Sequence, residues 1–412
     1  MTEPRTSSPS VHRSSRIESL DVLRGLALFG IVVVNAWFFS FPIMDAAGQV
    51  DIDASGMDSA AIFVVTAFFQ FKFISIFSVL FGFGIAMQRS RLIERTGRAA
   101  GFLARRMMIL AMFGLLHALG LWFGDILFQY AIVGMLMILL IQIPSGIRLA
   151  LGIVCLAVSM LAALGFGLLA MIPSAVVEDP DLTLQGFAAM QAANFDPASP
   201  IWINAEIAAV RDGPFADAFM FRAVTWIFAT LLFFFAYGWH VLGLVLVGSW
   251  FHDVGLLDPD RRWLLRRLAI WGVAIGLPAE MLIAFARLSG DLEIGLRSAM
   301  DAVHDLTSAV LALGIIGVVG LACASRRMPL ANGLASVGRM SLSAYLLESV
   351  LFVGFVSFWG LGQFNEHGPA ALFLASIIVY SLVATACIVW QRRFKLGPLE
   401  WIWRWGSYLR RP

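Results

Sequence analysis

In hydrocarbon an ionisable side chain is costly, so one found inside an apolar run normally faces a bundle interior or a water cavity and becomes a candidate for function. Few such residues occur here. Lys72 lies in the run Phe68-Phe-Gln-Phe-Lys-Phe73, about twelve residues from either end of its apolar stretch and too deep to snorkel to the headgroups. It needs a partner: Glu280 or Glu348, both comparably deep, or an anionic group of a substrate. His117 lies at similar depth. A histidine is the natural general base for activating a hydroxyl or amine near neutral pH, and equally a group that hydrogen-bonds a neighbouring helix. Asp125 follows eight residues later. On a continuous helix the two would share a face but stand about 12 Å apart, too far for a direct hydrogen bond. Asn35 sits about 16 Å deeper than Arg24 at helical rise, while Asp21 and Arg24, three residues apart on one face, can pair locally. His240, His304 and Asp305 are weaker candidates, and no metal-binding spacing appears.

The elements that must position these residues are transmembrane helices. Of 412 residues, 60% are hydrophobic and 14% charged, against about 25% charged in an average soluble domain. The apolar excess must face lipid, which excludes a soluble enzyme, and a net charge of +2 gives no reason to expect nucleic acid as a partner. Stretches able to cross about 30 Å of hydrocarbon run approximately over 20–41, 60–88, 107–123, 126–143, 149–172, 221–250, 268–286, 302–322, 334–359 and 370–390. The expected fold is therefore all-α: a polytopic integral membrane helix bundle of about ten transmembrane helices. Cys155, Cys323 and Cys387 are scattered without CxxC spacing and read as core or lipid-face fillers.

Arginine asymmetry orients the bundle. The segment 89–106 holds Arg89, Arg91, Arg95, Arg98, Arg105 and Arg106, and later basic loops hold Arg261, Arg262, Arg266, Arg267, Arg326 and Arg327. They alternate with acidic loops, one carrying Asp45, Asp51, Asp53 and Asp58 without Lys or Arg, the other running from Pro173 to Met220 with Arg211 as its one basic residue. Both termini are thus expected in the cytoplasm. Residues 1–18 read as a disordered tail, 19–390 as the helix-bundle domain with an outer loop or cap over 173–220, and 391–412 as a basic, Trp-rich tail. That tail suits an interfacial helix on an anionic leaflet, and equally an ordinary basic flank.

The stretch Ser19-Leu-Asp-Val-Leu-Arg-Gly-Leu-Ala-Leu-Phe-Gly-Ile-Val-Val-Val-Asn35, then Lys72-Phe-Ile-Ser-Ile-Phe-Ser-Val-Leu-Phe-Gly-Phe-Gly84, Arg105-Arg106, Gly114-Leu-Leu-His117, Gly124-Asp-Ile-Leu127, Gly338-Arg-Met-Ser-Leu-Ser-Ala-Tyr345 and Gly397-Pro-Leu-Glu-Trp-Ile-Trp-Arg404 together resemble the YeiB-like family of bacterial inner-membrane proteins, domain of unknown function 418. Where that family often has Asn and Gln, this chain has Ala344 and Glu348. The opening element is also similar to the start of heparan-glucosaminide acetyltransferases and, more remotely, of bacterial polysaccharide acyltransferases, which pass an acyl group from cytoplasmic acyl-CoA to an acceptor across the membrane. Their catalytic histidine has no counterpart between Asn35 and Ala61, so His117 would have to substitute from another helix.

The resemblance implies a multi-pass protein of the bacterial inner membrane and an acyltransferase-like activity with acyl-CoA as donor and no tightly bound cofactor. Its acceptor would be a small molecule, glycan or lipid, and a homodimer is an expected partner state. In this reading His117 and Asp125 are catalytic, and Arg105 and Arg106 hold the CoA phosphates. Asp21, Arg24, Asn35, Lys72, Arg339 and Glu348 bind substrate. Asn35, Lys72, His117 and Glu348 are expected around one polar cavity. A proton-coupled transporter of a small anion would use the same deep residues, whereas a non-catalytic scaffold would need no deep charge.

Overall fold

The computed structural model describes residues 9–47, 56–169, 185–288, 294–328 and 330–408. With no water to satisfy backbone groups, a lipid-embedded chain must close its hydrogen bonds within each segment, and the described residues form helices without a strand. In order they are α1 (Pro9–Ser40), α2 (Ile43–Ala46), α3 (Met57–Phe68), α4 (Lys72–Thr96), α5 (Ala100–Gly120), α6 (Leu127–Leu140), α7 (Ser145–Leu169), α8 (Gly186–Ala192), α9 (Pro200–Arg211), α10 (Phe215–Leu232), α11 (Gly238–Asp253), α12 (Arg262–Leu288), α13 (Ile294–Ala324), α14 (Ala331–Arg339), α15 (Ser341–Val356), α16 (Pro369–Gln391) and α17 (Pro398–Tyr408). A π-helical turn, Phe233–Tyr237, joins α10 to α11.

Among the described residues, eight helical stretches are long and apolar enough to cross a membrane. The pair α14–α15, bent by 89°, brings the number to nine if it crosses as one broken span. Helix α6 is a shorter apolar element, about 21 Å long at helical rise. The chain is a multi-pass membrane protein. Large apolar side chains such as Leu116, Phe235, Leu282 and Ile378 remain exposed on the outside of the bundle, where lipid replaces the charged coat of a soluble fold. Asp51, Asp53 and residues 173–184 of the expected cap lie outside the described residues. The described remainder of that segment forms α8, α9 and the start of α10, and Met190, Trp202 and Ala205 pack with Phe221 of α10.

Three breaks in otherwise apolar runs set up the interior. The stretch expected as one span over 60–88 is two helices, because Phe69–Phe71 leaves the helix and Phe71 adopts a left-handed φ of 63°. Lys72 therefore opens α4 and is not mid-helix. Helix α5 ends at Gly120, and residues 121–126 turn back before α6 begins. Helix α14 turns into α15 at Met340, and the free N–H groups at that new N-terminus are answered by Glu400 of α17. Its carboxylate accepts from Leu342 N (2.7 Å), Ser343 N (3.1 Å) and the Ser343 hydroxyl (2.5 Å).

Two glycines bring α14 against α1. A Cβ on Gly25 would lie 2.0 Å from the Leu334 carbonyl oxygen, and one on Gly338 would lie 1.8 Å from that of Asp21. Backbones this close are the small-residue packing of membrane helices, and here they place Arg339 beside Asp21 and Arg24.

Candidate functional site

His117 and Asp125 are in direct contact: His117 Nδ1 lies 2.9 Å from Asp125 Oδ1, with both side chains inaccessible to solvent. The expected 12 Å separation is overturned, because it assumed a helix continuing past Gly120. The real chain closes α5 by donating Leu121 N and Trp122 N to the His117 carbonyl, then folds residue 125 back beside the ring. The second carboxylate oxygen of Asp125 accepts the backbone N–H of Phe128 at 2.8 Å, which fixes the carboxylate at the start of α6. Gly114 makes this possible. A Cβ there would stand 2.3 Å from Phe128 N and 2.7 Å from Asp125 Oδ2. The spacing Gly-x-x-His thus reads as room for the carboxylate one turn before the histidine, a role sequence reasoning did not assign.

With Nδ1 held by the carboxylate, the other ring nitrogen, Nε2, is buried and has no hydrogen-bond partner. A carboxylate that fixes the tautomer of an imidazole and leaves its far nitrogen available is the geometry of a general base. The ring packs 5.2 Å from Tyr345 of α15 and 6.2 Å from Trp122, centroid to centroid.

Tyr345 in turn lines a cavity of about 590 Å³, within the range of small-molecule sites, between α1, α4, α5, α6, α14, α15 and α17. Its mouth carries Arg24, Arg91, Arg95, Arg106, Arg339 and Arg404 against Asp21, Glu94 and Glu400. Its depth is apolar and aromatic, with Leu28, Ile31, Phe77, Leu110, Ile126 and Tyr130. Helix α17 forms one wall of the mouth: Arg106 stacks on Trp403 at 3.5 Å, and Trp403 Nε1 donates to the Arg106 carbonyl at 2.8 Å. The expected Asp21–Arg24 pair is present at 3.1 Å. Arg339 reaches Gln391 at 2.9 Å and Ser336 at 3.1 Å. Tyr130, Tyr345, Arg91, Arg95, Trp403 and Arg404 enter the site only through tertiary structure. Their sequence signal is limited to aromatics and arginines in spans and flanks, which is common to most membrane helices.

Arg105 does not line the cavity; its Nε donates to the Ser407 carbonyl at 3.3 Å and ties α17 down. Asn35 is half-buried further along α1, also outside the lining. Glu348 is buried one turn beyond Tyr345, with Oε1 lacking a hydrogen-bond partner. Lys72 does not share a cavity with these groups as expected. Its ammonium is enclosed by Glu280, the Thr66 carbonyl (2.6 Å) and His304 (3.2 Å). Glu280 also takes the Thr307 hydroxyl at 2.5 Å and lies 3.0 Å from His304. The early break at Phe71 turns Lys72 toward α12 and α13, so Glu280, not Glu348, is its partner. Next to this cluster, His240 lies 2.8 Å from Asp305 and 2.7 Å from Ser75.

Comparison with known proteins bears on this arrangement. Residues 251–410 match the family described as "Protein of unknown function (DUF418)". The chain is 28% identical over 408 residues to "Uncharacterized protein YxaH" of Bacillus subtilis (strain 168), covering 96% of this chain and 95% of that one. It is 26% identical over 410 residues to "Uncharacterized protein YeiB" of Escherichia coli (strain K12), covering 94% of each. The DUF418 match thus lies in the second half of the chain, and the likeness to the YxaH and YeiB proteins runs over nearly all of it. The matched segment runs from the end of α11 into α17 and supplies Arg339, Tyr345, Glu348, Glu400 and Trp403. The His117–Asp125 pair comes from the preceding part, which the full-length relatives cover as well.

Proposed function

We propose that this protein is an acyltransferase-like enzyme of the bacterial inner membrane that takes the acyl group of cytoplasmic acyl-CoA and passes it to a hydroxyl acceptor. The observation that carries this reading is the buried His117–Asp125 pair set one aromatic ring from an amphiphile-shaped cavity, arginines at the mouth and apolar walls within. The positive-inside rule supports a cytoplasmic mouth, since the arginine-rich flanks of α4, α5 and α17 gather there. In this reading Arg24, Arg106 and Arg339, which line the cavity, neutralise phosphates, and Leu28, Ile31 and Leu110 lodge the acyl chain.

In the step itself, His117 Nε2 removes the proton of the acceptor hydroxyl as its oxygen forms a bond to the thioester carbonyl carbon. The carbon–sulfur bond then breaks, and the proton passes to the departing thiolate, leaving an ester and CoA. Asp125 stabilises the imidazolium formed in between. A transporter built on Lys72 has less support, because that ammonium is already enclosed by Glu280, His304 and a carbonyl.

The test is acyl-CoA binding and thiol release by the purified full-length protein. His117→Ala is expected to lower turnover by roughly 10² to 10⁴ with binding unchanged, and Arg24→Gln to weaken binding with the chemical step intact. Absence of saturable acyl-CoA binding by the wild type, or full activity of His117→Ala, would end this reading.

A further inference from the structure

About 20 Å along α1 from Arg24 at helical rise, at the end of the bundle opposite the arginine mouth, lies a second cavity of about 50 Å³. Its walls are aromatic, among them Phe39, Trp122, Phe358 and Trp359, and four polar side chains line it: Glu206 of α9, Arg222 and Thr225 of α10, and Ser357 just after α15. Glu206, Arg222 and Thr225 each carry a buried polar atom with no partner: Glu206 Oε2, Arg222 Nη2 and Thr225 Oγ1. Glu206 and Thr225 are each 3% exposed. An unmade hydrogen bond at a buried group is costly, so three such groups lining one aromatic-walled space point to a ligand that satisfies them.

The chemistry of the orphans selects the ligand. Arg222 can only donate, Thr225 can donate and accept, and burial pushes Glu206 up to about 8, which leaves it a largely neutral carboxyl at pH 7. An ammonium would face the guanidinium. A hydroxyl, with one donor and two acceptor sites, complements all three. At about 10–15 Å³ for each, the space of about 50 Å³ holds roughly three to five waters, room for one hydroxymethyl arm.

We propose that this cavity is the acceptor subsite and receives the primary alcohol arm of a neutral polyol or sugar. Its role as acceptor site rests on the acyl-transfer reading; its binding of the alcohol does not. The subsite is joined to the base through the α5–α6 turn. Arg222 Nε and Nη1 donate to the carbonyls of Leu119 (2.9 Å) and Leu121 (3.2 Å), and Trp122 separates the cavity from His117 by a single ring.

Binding is measured without any acyl donor, by tryptophan fluorescence and thermal stabilisation of the full-length detergent-purified protein. The probes are glycerol, methyl glucoside, its 6-deoxy counterpart, glucosamine and glucuronate. Expected is saturable binding of methyl glucoside, weakened tenfold or more by loss of the 6-hydroxyl or by Thr225→Val, because the buried polar groups are then left unpaired. Thr225→Ser restores binding. No saturation by glycerol or methyl glucoside, equal binding of the 6-deoxy compound, or tighter binding of either charged sugar overturns the proposal. Intact alcohol binding without acyl transfer would remove the enzymatic reading and keep the subsite. Acyl transfer that depends on His117 but ignores Thr225→Val would do the reverse.

Discussion

Asp125→Asn isolates the contribution of the carboxylate to the buried pair. The substitution keeps shape and volume, and the carboxamide oxygen can retain the Phe128 N–H at 2.8 Å, so the turn into α6 is preserved. The atom facing His117 Nδ1 at 2.9 Å then becomes an NH₂ donor. It requires Nδ1 to accept, and the ring proton is driven to Nε2, the nitrogen that must be free to act as base. Both side chains are inaccessible to solvent, so no water restores the tautomer and no countercharge replaces the carboxylate when the imidazolium forms. A general base acting in the transition state contributes about 10² to 10⁴, equivalent to roughly 3–5 kcal/mol of barrier. Single-turnover thiol release from bound acyl-CoA should fall by that factor. The dissociation constant for acyl-CoA should hold within about threefold, since the arginine mouth is untouched. Because the two residues act as a unit, Asp125→Asn introduced into His117→Ala should have almost no further effect. Turnover of Asp125→Asn within about threefold of wild type, or losses that multiply in the double variant, would refute the assignment of a general base to this pair.

Gly114→Ala places a Cβ 2.3 Å from Phe128 N and 2.7 Å from Asp125 Oδ2; it should cost about 1–3 kcal/mol of stability, read as a lower melting temperature, and slow thiol release by moving the carboxylate. Lys72→Met leaves Glu280 and His304 buried without their cation and should destabilise by about 3–5 kcal/mol, whereas adding Glu280→Leu to it should recover most of the loss; thermal unfolding in detergent distinguishes the two. Glu206 gives the pH prediction. Burial raises it from 4.5 to about 8, so the fold favours its protonated form: its contribution is fully present below about pH 4.5 and is lost as pH rises through about 8. Melting temperature should therefore decline across that window in the wild type and decline less in Glu206→Gln.

Periodicity and charge placement make much of this architecture legible. Long apolar runs fix the helical class, since only helices or closed barrels satisfy a backbone in lipid, and the runs recur as the eight long helical stretches, the bent pair and the short α6. The Asp21–Arg24 pair is equally legible, because a spacing of three on a helix is a local property. Lys72 was legible as a residue in need of a partner, though the choice between Glu280 and Glu348 was not. That choice depends on the break at Phe69–Phe71, and a run of phenylalanines contains neither glycine nor proline to announce it.

Hydropathy and spacing, read along one dimension, establish an arginine-flanked helical bundle in lipid and the eight-residue interval between His117 and Asp125. Packing in three dimensions closes that interval to 2.9 Å, caps α15 with Glu400 of α17, and gathers the arginines of α1, α4, α5, α14 and α17 at one mouth. Each of these depends on where a helix stops or crosses another, which is set by the balance of distant backbone contacts, as at Gly114 against Phe128 and Gly338 against Asp21.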